Sequence, residues 1–249
     1  MPFKIAVVMA VYNKKNYVSE AIDSVINQSI GFKKNIQLIL VNDKSTDGTL
    51  DILEKYHEKY PDNITLITNE KNMGSSYSRN RGLEHVDAKY VNFCDSDDVM
   101  SKDAFKVAYD FLEKYWEVNI ASIPIYFFGV KRGPHNLNFK YEKDQIINVI
   151  TDPSYIQLSG ASAFFRYEKL KNYSFNENLR VSEDALLINQ MLLENPLMGF
   201  LSKPKYFYRK DGSENSLITS SAKNRAYFPT RMDEYFLNLI DCAKKRIKR

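Results

Sequence analysis

Cysteine is scarce in this 249-residue chain, which has two, Cys94 and Cys242, far apart and matching no metal-ligand spacing. Their scarcity excludes a disulfide framework and a cysteine-built zinc site, and it fits a reducing compartment in which both are ordinary thiols. No apolar run approaches the roughly 18 to 20 residues needed to span a bilayer. The opening MPFKIAVVMAVYNKK turns polar too soon for a secretory signal, so a cytoplasmic chain is expected. Glycine is absent from MAVYNKKNYV, directly after the first apolar run. That argues against the G-x-G-x-x-G turn of a Rossmann dehydrogenase and against the Gly-rich, Lys-containing signature of a nucleotidyltransferase. The net charge, +4, is mild, and no nucleic-acid partner is expected. Its notable feature is the terminal KKRIKR, which holds five basic side chains.

With 44% hydrophobic residues, the chain can bury the core of one large domain carrying a helical appendix. The first hundred residues alternate. IAVVMA (5 to 10), QLILV (37 to 41), ITLIT (64 to 68) and YVNFC (90 to 94) read as strands too apolar to have a wet face. Helical spacing falls between them, over residues 17 to 28, 49 to 60 and 75 to 85. KSTDG (44 to 48) supplies capping residues and a tight bend. Such alternation predicts a mostly parallel sheet covered on both sides with right-handed crossovers. Beyond it come an amphipathic helix from about Ala104 to Tyr115, a strand over 120 to 128, a polar hairpin or loop over 131 to 143, a strand-like stretch over 155 to 166 and a short helix from Ala185 to Glu194. A last helix is expected over 228 to 245.

Ligands of open parallel sheets sit outside the carboxyl ends of the strands. Those ends carry Ala10-Val11-Tyr12-Asn13, Asn42-Asp43, Asn69 with Asn72, and Asp95-Ser96-Asp97-Asp98. An aspartate beyond a strand can accept from a base N–H while a neighbouring aromatic stacks on the base, so Asp43 and Tyr12 are candidates for a nucleoside pocket. Three carboxylates within four positions repel one another. A divalent cation bridging one or two of them to a diphosphate would relieve that repulsion; a solvated acidic turn is the plain alternative. Arg79 is a candidate for contacting phosphates or orienting the aspartates, and Arg81 reads as a surface arginine. In VSEDALLINQML, Ser182 is placed to cap a helix whose first turn carries Glu183 and Asp184.

VVMAVYNKKNYVSEAIDSVINQS, LILVNDKSTDGTLDIL, NMGSSYSRNRGLEHVDAKYVNFCDSDD and SEDALLINQML, in this order, resemble the motifs of family 2 glycosyltransferases over residues 1 to about 217. The resemblance implies a GT-A fold, a Rossmann-like mixed sheet that is mostly parallel, in a domain over 1–217 followed by a helical C-terminal extension with a basic tail over 218–249. It implies an inverting, metal-dependent transfer of a sugar from a nucleotide donor, with a UDP-sugar favoured as the family's commonest. Nucleotide binding then falls to Ala10, Val11, Tyr12, Asn13, Asp43, Asn72, Arg79, Asp95 and Ser96, and sugar binding to Asp95, Glu183 and Asp211. Asp97 becomes the ligand of Mn2+ or Mg2+, and Asp184 the catalytic base. YFYRKDGSENS (206 to 216) resembles the segment that closes over the diphosphate, giving Arg209 and Lys210 as diphosphate contacts. Many relatives have a histidine there and this chain has none, which speaks against histidine ligation of the metal.

SIGFKKNIQLILVNDKSTDG, SKDAFKVAYDF and YIQLSGASAFF resemble the N-terminal modules of bacterial polymerases that build capsule or teichoic-acid-like chains. That resemblance implies a glycan or polyol-phosphate acceptor and one module of a larger enzyme. It also implies peripheral association with the inner face of the membrane through the remainder of that polymerase. The rival reading is a non-catalytic nucleotide-sugar-binding module, which predicts loss of the base or of the metal acids; both are retained here.

Overall fold

The computed structural model describes residues 2–156, 158–179 and 181–210. Asp211, the segment expected as a last helix, the basic tail, Cys242 and the expected boundary at 217 lie outside these residues. The elements are β1 (Phe3–Val11), α1 (Val18–Ile26), α2 (Phe32–Asn35), β2 (Ile36–Asn42), α3 (Thr49–Lys59), β3 (Ile64–Thr68), α4 (Ser75–Leu83), β4 (Ala88–Asn92), β5 (Val99–Met100) and α5 (Ala104–Lys114). Then follow β6 (Ile120–Ser122), β7 (Ile125–Gly129), β8 (Gly133–Pro134), β9 (Gln145–Asn148), β10 (Ala163–Arg166), α6 (Tyr167–Leu170), α7 (Glu183–Glu194), β11 (Leu197–Phe200) and β12 (Tyr206–Lys210).

Eight strands form one sheet in the order β3-β2-β1-β4-β10-β6-β11-β9. The first four are parallel, β10 runs antiparallel between β4 and β6, and β11 is parallel to β6. This is the mixed, mostly parallel α/β sheet that the alternation predicts. Burial on both faces explains why its strands are continuously apolar. In β1, Ile5, Val7, Met9 and Val11 point into one core with Val18, Ile22 and Val25 of α1 and Phe105 and Leu112 of α5. Ala6 and Val8 point into the other, with Leu187, Ile188 and Met191 of α7. Each fully buried aliphatic side chain contributes roughly 1.5 to 3 kcal/mol.

Gly82 sets the height of α4. A Cβ there would lie 2.4 Å from Val8 Cγ1, so the helix packs on the sheet at a distance that only glycine permits. Arg79, one turn earlier, is thereby carried to the sheet's carboxyl edge.

The second half departs from the pattern in instructive places. The apolar run over 120 to 128 is two strands in different sheets, because Pro124 interrupts it: β6 stays in the large sheet while β7 joins a second sheet, β5-β12-β7-β8. The polar segment after it does turn back as a hairpin, with Tyr126 opposite Pro134 and Phe127 opposite Gly133. Only its last four residues make 155 to 166 a strand. Among the described residues, no helix is long and apolar enough to cross a membrane.

Candidate active site

The loops after β1 and β2 are laced together. Asn13 and Lys44 take the left-handed conformation, with φ of 52° and 62°. Asn13 N–H donates to Ser45 Oγ at 3.0 Å, Thr46 N–H to Asn13 Oδ1 at 2.8 Å and Lys15 N–H to Asp47 Oδ2 at 3.1 Å. Asn13 is thus a loop fastener. Its neighbour Tyr12 projects outward, 45% exposed, as a ring available for stacking. Val11 is buried and Ala10 half-buried, so their side chains serve the strand.

Asp43 is buried just past β2 and accepts three hydrogen bonds, from Asn69 Nδ2 (2.7 Å) and from the backbone N–H groups of Met73 and Gly74 (2.8 Å each). It therefore organises the 69–74 loop, on which Asn72 stands exposed. Two of these bonds fall on Oδ1 and one on Oδ2, leaving lone-pair capacity for an incoming donor. Arg81, expected at the surface, is instead half-buried and donates to Asn69 Oδ1 at 2.6 Å. The same loop holds it because Asn69 has both an amide donor for Asp43 and a carbonyl acceptor for Arg81.

The acidic loop after β4 divides its carboxylates among different partners. Asp98 is 1% exposed and occupied on both oxygens, by the Tyr206 hydroxyl and by the Arg209 N–H at 2.7 Å. Burial, then the charges of Asp95 and Asp97, push its pKa well up. It is a structural clamp between the loop and β12. Ser96 is buried. Asp95 accepts from Arg79 Nη2 at 2.9 Å, and its other oxygen lies 3.4 Å from the Tyr206 hydroxyl. Although 37% of its side chain stays exposed, the protein around it raises its pKa by desolvation, against the lowering effect of Arg79. Asp97 differs from both: Lys14 Nζ meets its Oδ2 at 2.5 Å, and no described residue donates to Oδ1. Cys94, buried behind this loop, has its thiol pKa raised by burial and by the three aspartates, which leaves it unreactive.

Arg79 ties this loop to α7. Its Nη1 donates to Glu183 Oε1 at 2.7 Å while Nη2 holds Asp95, and the guanidinium stacks 5.4 Å from the Phe175 ring centroid. Arg79 and Glu183 side chains are only 12% and 11% exposed. Asp184, next in sequence, accepts from the N–H of Gly160 at 2.9 Å and from its neighbour Ala185 at 2.8 Å. A Cβ on Gly160 would approach Asp184 Cβ to 3.0 Å, so a glycine lets the loop close on the carboxylate. Burial, and then Glu183, raise the Asp184 pKa to about 6. Ser182 does sit at the N-cap position, but in a left-handed conformation (φ 64°) and without a side-chain capping bond. The acids of the first turn are held by Arg79 and Gly160, a use that capping alone does not supply.

Arg209 of β12 is packed between the start of α1 and β7. It stacks over Tyr17 (4.8 Å) and Phe128 (4.3 Å), donates Nε to the Asp97 carbonyl at 2.8 Å and pairs with Glu20. Its charge thus lies beside the acidic loop, with the side chain 14% exposed. Lys210 extends past it, with Nζ 4.6 Å from the Tyr208 ring centroid.

Asp95, Arg79, Glu183 and Asp184 are thus brought into one network, Asp97 and Arg209 adjoin it, and Asp43 with Tyr12 forms a separate group across the strand ends. Sequence reasoning missed Lys14, Gly160 and Tyr206. Lys14 lies in a motif between Asn13 and Tyr17 that gives no sign of reaching residue 97. Tyr206 and Gly160 approach the acids only through long-range folding.

The chain matches the family model described as Glycosyl transferase family 2 over residues 6–174. It is 38% identical to the minor teichoic acid biosynthesis protein GgaA of Bacillus subtilis over 94% of this chain and 53% of that protein. With GgaB of the same organism it shares 37% identity over 97% of this chain and 27% of that protein. The poly(ribitol-phosphate) beta-N-acetylglucosaminyltransferase TarS of Staphylococcus aureus is 28% identical over 86% of this chain and 37% of its own length. A crystal structure of TarS residues 1–349 in complex with UDP-GlcNAc superposes with a TM-score of 0.77 at 26% identity, covering 88% of this chain and 61% of that one. The chain spans about half, or less, of the curated relatives it matches.

Proposed function

The chain belongs to glycosyl transferase family 2, and from that premise we propose that it moves a sugar from a UDP-sugar to a hydroxyl of a glycan or polyol-phosphate acceptor, with inversion, in the synthesis of a teichoic-acid-like surface polymer. The observation that carries this reading is the continuous network Asp95–Arg79–Glu183, with Asp184 beside it at a pKa of about 6. A carboxylate poised near neutrality is a competent general base, and it is separate from the acids that face the diphosphate. The teichoic acid relatives and the UDP-GlcNAc complex of TarS support the choice of donor and acceptor class.

Asp43 and Tyr12 would receive the base, the first accepting from its N–H and the second stacking. Asp95 would contact the sugar, with Arg79 holding its carboxylate in place. The donor set also suits a hard cation. Asp97 has an oxygen with no described protein donor, and Mg2+ or Mn2+ needs only one or two carboxylates when phosphate oxygens complete its shell. When bound, the ion would neutralise charge on the leaving diphosphate. Arg209, whose Nε donates to the Asp97 carbonyl, adds fixed positive charge beside that position, while Lys210 projects from the other face of β12 toward the Phe127 and Tyr208 rings. Asp184 takes the proton of the attacking hydroxyl, and the N–H groups of Gly160 and Ala185 keep its lone pairs oriented. Residence at the inner face of the membrane belongs to the same proposal, through the remainder of a larger polymerase.

A panel of nucleotide sugars, scored for binding and for Mn2+-dependent turnover, tests the reading. Turnover of at least one UDP-sugar is expected. Binding without turnover, given a phosphate-bearing acceptor, would establish the non-catalytic alternative.

A further inference from the structure

Along β12, Tyr206, Tyr208 and Lys210 project from one face, and the parallel register sets Tyr208 beside Phe127 of β7. Tyr206 is the inner end of this row, with its hydroxyl on Asp98 and near Asp95. Outward from it the row turns aromatic and then cationic. The Phe127 and Tyr208 rings lie 6.0 Å apart, and the His135 ring packs 5.4 Å from Phe127. Lys131 Nζ, from the turn after β7, lies 4.4 Å from the Phe127 centroid, and Lys210 Nζ lies 5.8 Å from it.

Two ammonium groups thus share one aromatic ring, and among the described residues neither pairs with a carboxylate. Among the described residues, positive charge is concentrated here without a paired carboxylate, an arrangement that favours an anionic ligand. The local field is strong enough that Lys131, Lys140 and Lys210 add to burial in lowering the His135 pKa. From Tyr206 to Lys210 is about 13 Å of strand, at about 3.3 Å per residue. Lys131 stems from the turn beyond the far end of that row, and its ammonium folds back over Phe127, outward of Tyr206, where a second anionic group beyond the diphosphate would meet it. The ligand has to extend outward from the reacting centre and carry negative charge at intervals, with apolar or hydroxylated stretches against the rings.

We propose that the Tyr208–Phe127–Lys131–Lys210 strip is the docking track for the acceptor, a phosphate-bearing polyol chain whose reacting hydroxyl lies at the Asp95–Asp184 network. The track rests on the transferase reading above for its inner end. Charge complementarity assigns its occupant: the lysines take successive phosphates, and the rings pack against the polyol between them.

The test is calorimetric titration of a synthetic glycerol-phosphate oligomer into the chain and into Lys131→Glu, an exposed turn position that leaves the core untouched. Loss of a charge-assisted contact together with the introduced repulsion should weaken oligomer binding about tenfold or more. Lys131→Arg should restore it, and the salt dependence should be shallower in Lys131→Glu. UDP affinity and the melting temperature should match those of the parent. Equal oligomer affinity in parent and Lys131→Glu, or no oligomer binding by the parent, would overturn the track. So would Lys131-dependent binding to phosphatidylglycerol vesicles in place of the oligomer, which would make the strip a membrane contact. Failure of the parent to bind or turn over any UDP-sugar is read separately, and it would sink the transferase reading whatever the oligomer does.

Discussion

Replacing Arg79 by methionine keeps a long apolar stem on α4 and deletes the cation that holds Asp95 and Glu183 together. The Arg79–Glu183 pair is nearly buried on both sides, and removing one partner of such a pair costs about 3 to 5 kcal/mol because the other charge is left without compensation. Asp95 is more than a third exposed, so its share is the surface value, below about 1 kcal/mol. A total near 4 kcal/mol is expected at about pH 8. The loss depends on pH in a defined direction. Asp95 and Asp184 already have raised pKa values that Arg79 holds down, so without it both rise further. A carboxylate whose folded pKa lies above its unfolded value stabilises the fold below the unfolded pKa and loses that contribution as pH rises through the folded one. The deficit of the variant should therefore be smaller at about pH 5 than at about pH 8. Urea unfolding of both proteins at these two pH values reads it directly. A deficit under about 1 kcal/mol, or one equal at both pH values, would refute the assignment of Arg79 as the charge that balances the acidic network.

Asp97→Ala should leave the melting temperature unchanged within a degree or two and abolish Mn2+ binding to the UDP-loaded protein, as followed by electron paramagnetic resonance; retained Mn2+ affinity would remove Asp97 from the metal site. Asp43→Ala leaves Asn69 and two backbone N–H groups without their acceptor, at about 1 to 3 kcal/mol for each that stays buried. It should both destabilise the chain and weaken UDP binding at least tenfold by calorimetry, and an unchanged UDP affinity would confine Asp43 to a loop-building role.

The first four strands and the helices α1, α3 and α4 between them were legible because both faces of this part of the sheet are covered, which writes continuous apolar runs into the sequence, whereas the four-residue α2 is too short to carry a period. The same logic located the strand-end acids. Legibility fell where the sheet turns mixed. β5 is two residues long, β9 has every residue half-buried, and the run around Pro124 divides between sheets, so none of these carries a clean period. Within the site, the residue types at motif positions could be read, but their partners could not. The three aspartates near residue 95 look equivalent in sequence, and only folding hands Asp98 to Tyr206, Asp95 to Arg79 and Asp97 to Lys14. Arg209 was expected beside the diphosphate from the resemblance of its segment, whereas its packing between Tyr17 and Phe128 depends on the second sheet and could not be read.

The division of labour among the acids is tested most directly by Asp184→Asn, assayed for transfer from a UDP-sugar to a verified acceptor across pH, with the product's anomeric configuration read by nuclear magnetic resonance. In the parent, transfer should rise with pH through about 6 as Asp184 ionises, and the product should have the inverted configuration. In Asp184→Asn, donor affinity should persist, the limb near pH 6 should vanish, and the rate should fall roughly 10²-fold to 10⁴-fold. Transfer by Asp184→Asn at the parental rate, or retention of configuration by the parent, would contradict the account.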